Sequence, residues 1–194
     1  MKFLILGRTA TGKDTLANIL MSKYNWTFIK SMTDRPKRTE AEDTHIFIST
    51  EEFTLLSPSE IIAETCINNY HYCATKKQLM ENDAYIVDPH GCYQLLENCP
   101  DEHFILVYMK AKDKLQQQSY AIQRSNNIYE ESIIFQQRYE SEDSQFIDFE
   151  NMIEICELFK YPNVVHTIYY LNIYDEESIN LFSESLNRLK QHLK

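Results

Sequence analysis

Glycine is scarce in this chain, and its placement restricts the fold more than any other feature. Average usage is about 7%, yet the 194 residues contain only three, Gly7, Gly12 and Gly91. Two of them frame one loop, Gly7-Arg8-Thr9-Ala10-Thr11-Gly12-Lys13. The loop follows a continuous apolar run, Phe3 to Leu6, the mark of a strand covered on both faces. After it, Leu16, Ile19, Leu20 and Tyr24 recur at helical spacing, so residues 1 to 24 predict strand, loop, helix.

Such a loop has the G-x-x-x-x-G-K spacing of a Walker A motif. A polyphosphate is cradled there by backbone N–H groups at a helix N-terminus, the glycines let the backbone curl, and lysine supplies a mobile charge for the outer phosphates. Gly7, Arg8, Thr9, Ala10, Thr11, Gly12, Lys13, Asp14 and Thr15 are thus the expected ATP-binding residues. One position departs from the pattern: Ser or Thr should follow the lysine and bind Mg²⁺, but Asp14 stands there, before Thr15. A carboxylate beside a triphosphate repels it unless a cation lies between them, so Asp14 is expected to bind Mg²⁺. A bland role, an acid suiting the positive end of a helix, accounts for it too.

Further strands are expected at Thr27–Lys30, Ala84–Asp88, His103–Met109 and Val164–Leu171, mostly separated by helical patterns. The last helix is the clearest. Ile179, Phe182, Leu186, Leu189 and Leu193 form one stripe, Asp175 is a candidate N-cap, and Lys190, His192 and Lys194 fill the final turn. The fold class is therefore α/β: a five-stranded, mostly parallel sheet covered by helices on both faces. Between about Ser31 and Tyr72 the short runs His45–Ile48, Ile61–Glu64 and Tyr70–Cys73 predict a β-rich insertion, with a capping box, Ser49-x-x-Glu52, opening a short helix before Pro58. Residues 125 to 145 are polar and mixed. Phe146, Phe149, Ile153, Cys156 and Phe159 form a stripe read as core, although the surrounding acids would also suit the rim of a partner interface.

Composition supplies exclusions. A hydrophobic fraction of 43% and a charged fraction of 25% fit one ordinary globular unit over 1–194. The net charge of −10 repels nucleic acid and anionic lipid, so any phosphate must be held by a local cation cluster. No stretch is long enough for a bilayer span and the N-terminal apolar run is too short for a signal peptide, so a cytoplasmic protein is expected. Five cysteines without a C-x-x-C pair fit reduced thiols, and Cys66, His71, Cys73, His90 and Cys92 lack zinc spacing.

Of six arginines, Arg35 and Arg38 crowd into Thr33-Asp34-Arg35-Pro36-Lys37-Arg38. Arginine's planar fork suits a terminal phosphate, and beside an ATP loop the pair suggests a second, acceptor phosphate. A solvated basic turn explains the spacing equally well.

Ser31-Met32-Thr33-Asp34-Arg35-Pro36-Lys37-Arg38, His45-Ile46-Phe47-Ile48, Glu51-Glu52-Phe53, Asn69-Tyr70-His71-Tyr72 and Asp88-Pro89-His90-Gly91 resemble, in order, the acceptor-binding segments of guanylate kinases. The resemblance covers residues 1 to 92; beyond them it rests on element pattern and two arginines. It implies a nucleoside monophosphate kinase of the P-loop class, with an acceptor-binding insertion at 31–74 and a lid at 124–145. Ser31, Arg35, Arg38 and Tyr72 would hold the acceptor phosphate, His45 replaces a phosphate-contacting tyrosine, and Asp88 would contact the acceptor and hydrated Mg²⁺. Arg124 and Arg138 resemble lid arginines that act with Lys13, Arg35 and Arg38 on the transferring group; exposed helix charge is their bland alternative. The family's guanine-reading glutamate aligns with Ala63, one place before Glu64, and its hydroxyl contact with Ala74, beside Thr75. A one-residue shift would restore both and reverse their strand face. The base stays open, and Gly12-Lys13-Asp14-Thr15 also resembles viral deoxynucleoside monophosphate kinases.

The implied reaction is phosphorylation of a nucleoside or deoxynucleoside monophosphate by Mg²⁺-ATP. Two rivals stand beside it: an inert guanylate-kinase-like binding module, which the intact Gly12 and Lys13 disfavour, and a P-loop kinase acting on a non-nucleotide phosphorylated acceptor. Asn172, just after the last strand, is a positional candidate for adenine. Oligomeric state is not legible.

Overall fold

A computed structural model describes residues 1–37, 40–67, 69–123, 128–154, 161–172 and 174–193. Its main sheet contains β1 (Lys2–Leu6), β6 (Ala84–Ile86), β7 (Phe104–Ala111) and β8 (Val164–Asn172), in the order β6-β1-β7-β8. Every pairing is parallel; Leu4 lies opposite Tyr85 on one side and Leu106 on the other. Strands inside such a sheet need apolar residues on both faces, and β1 and β7 supply them. Leu4, Leu6, Phe104, Leu106 and Tyr108 pack on one face. Phe3, Ile5, Ile105, Val107 and Met109 pack on the other, against α1 (Lys13–Tyr24) and α7 (Glu176–His192).

The expected fifth strand is corrected to a single bridge. Only Phe28 pairs, with Ala84. The chain turns away after Lys30 because Met32–Thr33, β2, is drawn into a second sheet, with Thr33 opposite Tyr72. That sheet has the order β3-β2-β5-β4 and is completed by β3 (Ile46–Phe47), β4 (Ile61–Ile67) and β5 (Tyr70–Thr75). Among the described residues the main sheet thus has four strands, all parallel. The second sheet shares the main core through Ile62, Ala63 and Ala74. α2 (Thr50–Thr54) starts at the anticipated capping box: Ser49 accepts from the Glu52 N–H, and the Glu52 carboxylate accepts from the Ser49 N–H. α3 (Lys76–Glu81) is boxed likewise by Thr75 and Gln78.

α4 (Pro89–Asn98) follows β6, α5 (Lys114–Gln123) follows β7, and α6 spans Ile128–Glu154. The polar stretch from 125 to 145 thus belongs largely to a 27-residue helix. Phe146, Phe149, Met152 and Ile153 bury its C-terminal half in the core, while Phe135 and Tyr139 pack its N-terminal half beside Ala10 and Ala121. Cys156 and Phe159 lie outside the described residues. The final helix is capped by Asp175, which accepts from the Ser178 N–H. Among the described residues no helix is long and apolar enough to cross a membrane.

Candidate functional site

Because the strands run the same way, all their C-terminal ends meet at one edge, the usual place for a ligand in such sheets. β1 feeds the glycine loop, β6 feeds Asp88, β7 feeds α5, and β8 feeds Asn172 and Tyr174. The loop is held from the β7 and β8 sides. Gly7 is forced to be glycine by the Met109 carbonyl, which a Cβ would strike, and Gly12 by its positive φ of 91° and by the Asn172 amide. Asn172 donates from Nδ2 to the Thr11 carbonyl at 2.7 Å and accepts the Tyr174 N–H on Oδ1 at 2.7 Å. Both polar atoms of the buried Asn172 therefore serve the loop and its neighbour. The Tyr174 hydroxyl donates to the Ala10 carbonyl at 2.5 Å, and Gln117 of α5 donates to the Thr9 carbonyl.

Lys13 opens α1, whose N-cap is Gly12 without a side-chain capping bond, and its Nζ folds back on the Gly7 and Arg8 carbonyls at 2.5 and 2.8 Å. Helix α6 crosses above and contributes two carboxylates that the sequence reading had not singled out. Glu142 Oε2 accepts the Thr9 N–H at 2.7 Å, and Asp143 Oδ1 accepts from Arg8 Nη1 at 2.6 Å. The Arg8 guanidinium also lies over the rings of Tyr139 and Phe146, at 5.0 and 5.5 Å. Burial pushes the Glu142 carboxyl above its ordinary range, against the opposing pull of the Thr9 N–H, Lys13, Arg8 and Arg138. A signal was available: Phe135, Tyr139, Phe146, Phe149 and Ile153 follow a spacing in which Glu142 is the one acid on the seam.

Across the edge, Ser31, Arg35, His45 and Tyr72 are gathered by the second sheet. Arg35 Nε donates to the Tyr72 hydroxyl at 3.1 Å, and its fork engages Glu42, with Nη2 to Oε1 at 2.7 Å. The Glu42 carboxylate holds the guanidinium above its ordinary pKa, against burial and with help from Tyr72. The His45 ring meets Tyr72 edge-on at 5.4 Å. Ser31 Oγ and the Tyr85 hydroxyl share a 2.8 Å bond, and burial raises the Tyr85 hydroxyl to about 12. Asp88 caps α4 by accepting the Gly91 N–H at 2.6 Å, and Thr65 Oγ1 donates to its other oxygen at 3.3 Å. Val87, just before it, donates its N–H to the Ile5 carbonyl at 3.1 Å, which puts Asp88 beside the end of β1.

After an irregularity between Ile61 and Ala63, Ala63 pairs with Ala74, Glu64 with Cys73 and Thr65 with Tyr72. Successive strand residues alternate faces; Glu64 projects from the other side, where its carboxylate meets His71 Nδ1 at 3.0 Å. Asp14 stands exposed in the first turn of α1 and Arg138 exposed on α6. Arg38 and Arg124 lie outside the described residues. A cavity of about 380 Å³ opens beside the loop, lined by Thr15, Ile19, Tyr120, Asn172, Tyr174 and Ile179 among others. The Tyr120 and Tyr174 rings stack there at 4.2 Å.

The described residues thus define an α/β fold: a four-stranded parallel sheet with a glycine loop after its first strand and helices on both faces. The crystal structure of guanylate kinase from Anaplasma phagocytophilum is similar, with a TM-score of 0.55 and 18% sequence identity over 98% of this chain and 85% of that one. At that identity the likeness is one of fold. No protein-family model matches the sequence, and no curated protein matches it.

Proposed function

We propose that the chain transfers the γ-phosphoryl group of ATP to a nucleoside or deoxynucleoside monophosphate. The observation that carries this reading is the shared edge. The loop that ends in Lys13 and the Ser31–Arg35–Tyr72 group are linked through β1, Asp88 and Thr65, with Thr65 opposite Tyr72. Two mutually repelling phosphates need such an arrangement: cations on either side, correct alignment and exclusion of water.

In this reading the amides of residues 7–13, with Asp14 and Thr15, hold the donor's phosphates, and Lys13 neutralises the outer ones. The donor's base takes the cavity between Tyr120, Asn172 and Thr15. Asn172 contributes as a clamp on the loop rather than through a free amide. Ser31, Arg35, Arg38, His45 and Tyr72 orient the acceptor's phosphate, and Arg124 and Arg138 approach from the lid.

Asp14 and Asp88 are the residues that would hold a hydrated Mg²⁺ in this reading. Asp14 is exposed and Asp88 uses its oxygens on Gly91 and Thr65, while no group of three metal-ligating side chains occurs among the described residues. Two carboxylates, completed by phosphate oxygens and water, suit that ion. Such an ion would supply charge neutralisation to the donor's phosphates. Glu64 is tied to His71 and lies on the strand face opposite Thr65, so the proposed base preference is not confined to guanine.

The test is release of ADP from Mg²⁺-ATP across ribo- and deoxyribonucleoside monophosphates, with phosphorylated sugars run in parallel. ADP release with at least one nucleotide is expected. No release with any acceptor overturns the reading in favour of a binding module, and release only with sugars overturns the choice of acceptor.

A further inference from the structure

The polar contacts of the phosphate loop contain an anion already. Glu142 places a carboxylate oxygen 2.7 Å from the Thr9 N–H, and the positive groups acting on it are Lys13, Arg8 and Arg138. Those are features expected of a phosphoryl oxygen's seat: a loop amide, the loop lysine and further cations. The carboxylate is delivered from far away in sequence by α6, which is latched alongside through Asp143 to Arg8. Gly7, Arg8, Ala10, Thr11 and Gly12 are all buried beneath this cover. Glu142 therefore stands where a bound polyphosphate would need the amide.

We infer that Glu142 is an internal competitor for the donor's phosphate seat and sets the affinity of the chain for its phosphoryl donor. The inference rests on the proposed donor role of the loop and goes beyond it. Donor phosphates must expel the carboxylate before Thr9 can donate to them. The apparent dissociation constant is the intrinsic one divided by the fraction of chains with the seat open. Weakening the competitor raises that fraction without adding any contact to the ligand. Glu142 is thus neither catalytic nor a ligand to the nucleotide; it acts on binding alone.

Calorimetric titration of Mg²⁺-ATP, tripolyphosphate and adenosine into wild type, Glu142→Gln and Glu142→Ala tests this. Glutamine keeps the shape and removes the charge; alanine removes both. About five- to tenfold tightening is expected for ATP and tripolyphosphate in both variants, with adenosine unchanged. The KM for ATP should fall while that for the acceptor stays constant. Unchanged or weaker phosphate binding in the variants, with wild type still binding ATP, overturns the competitor and leaves the donor loop standing. Failure of every form to bind either phosphate compound overturns both. A measurement on the unmodified chain guards against a variant that does not fold: the Glu142 side-chain carboxyl NMR resonance should shift on adding Mg²⁺-ATP, and a resonance that stays put while ATP binds overturns the inference.

Discussion

Two arginines are paired with carboxylates at the two ends of the candidate site, and the pairs are built differently. Arg35 meets Glu42, seven residues on, and the two side chains are 8% and 11% exposed. Arg8 meets Asp143, 135 residues on, with exposures of 11% and 48%. The first pair joins near neighbours in sequence, is shielded from water, and is braced by Tyr72 from β5. The second joins two elements that are distant in sequence and leaves one partner wet, so it is worth little by itself and yields when α6 moves. The Arg35 side is locally braced, and the Arg8 side is latched across the chain.

The largest effect that probes this contrast is on chemistry. Lys13→Met should lower turnover by about 10³-fold, roughly 4 kcal/mol of transition-state stabilisation, with an unaltered far-UV circular dichroism spectrum. Near-normal turnover would remove the donor role from the loop. Next comes the closed pair. Arg35→Met strands Glu42 without its cation, a loss of about 3 kcal/mol, which should lower the melting temperature by roughly 10 °C in a scanning calorimeter. Asp143→Asn acts on the half-exposed pair and should cost less than about 1 kcal/mol, seen as a shift of no more than roughly 4 °C. Equal losses from Arg35→Met and Asp143→Asn would abolish the distinction.

The smallest effect is one of sign. Burial raises the folded-state pKa of Glu142 over its unfolded value. Between those values the folded chain holds more protons, so stability falls as pH rises, and the ionised group is a burden above both. Glu142→Gln should therefore melt at or above the wild-type temperature at neutral pH, and that advantage should fade as pH falls through the carboxylate range. A gain that grows on acidification would reverse the assignment.

What the sequence revealed follows the reach of the forces involved. The first 24 residues, the Ser49–Glu52 box and the helix capped by Asp175 are set by neighbours in the chain, and they stand as expected. Thr27–Lys30 has strand-like residues but makes a single bridge, because the pull of Tyr72 on Thr33 is not local. Of helix α6, the C-terminal stripe of Phe146, Phe149 and Ile153 is legible in the sequence, whereas the N-terminal stretch is not, because it is polar and its seam is interrupted by Glu142, whose partner lies more than a hundred residues away. Asn172 was correctly placed at the edge, but its amide is used by Thr11 and Tyr174. For Glu64 the expectation turns on register: it lies opposite Cys73, just after an irregularity between Ile61 and Ala63 that no local pattern in the sequence signals.

The roof formed by α5 and α6 over residues 7–12 has a kinetic corollary. Thr9 is half-buried and its amide is occupied by Glu142, while its neighbours are buried, so a solute's entry must wait for that carboxylate to leave. In a rapid-mixing experiment the observed association rate should then level off at high ATP concentration, and the plateau would report how often the carboxylate leaves spontaneously rather than how fast nucleotide diffuses.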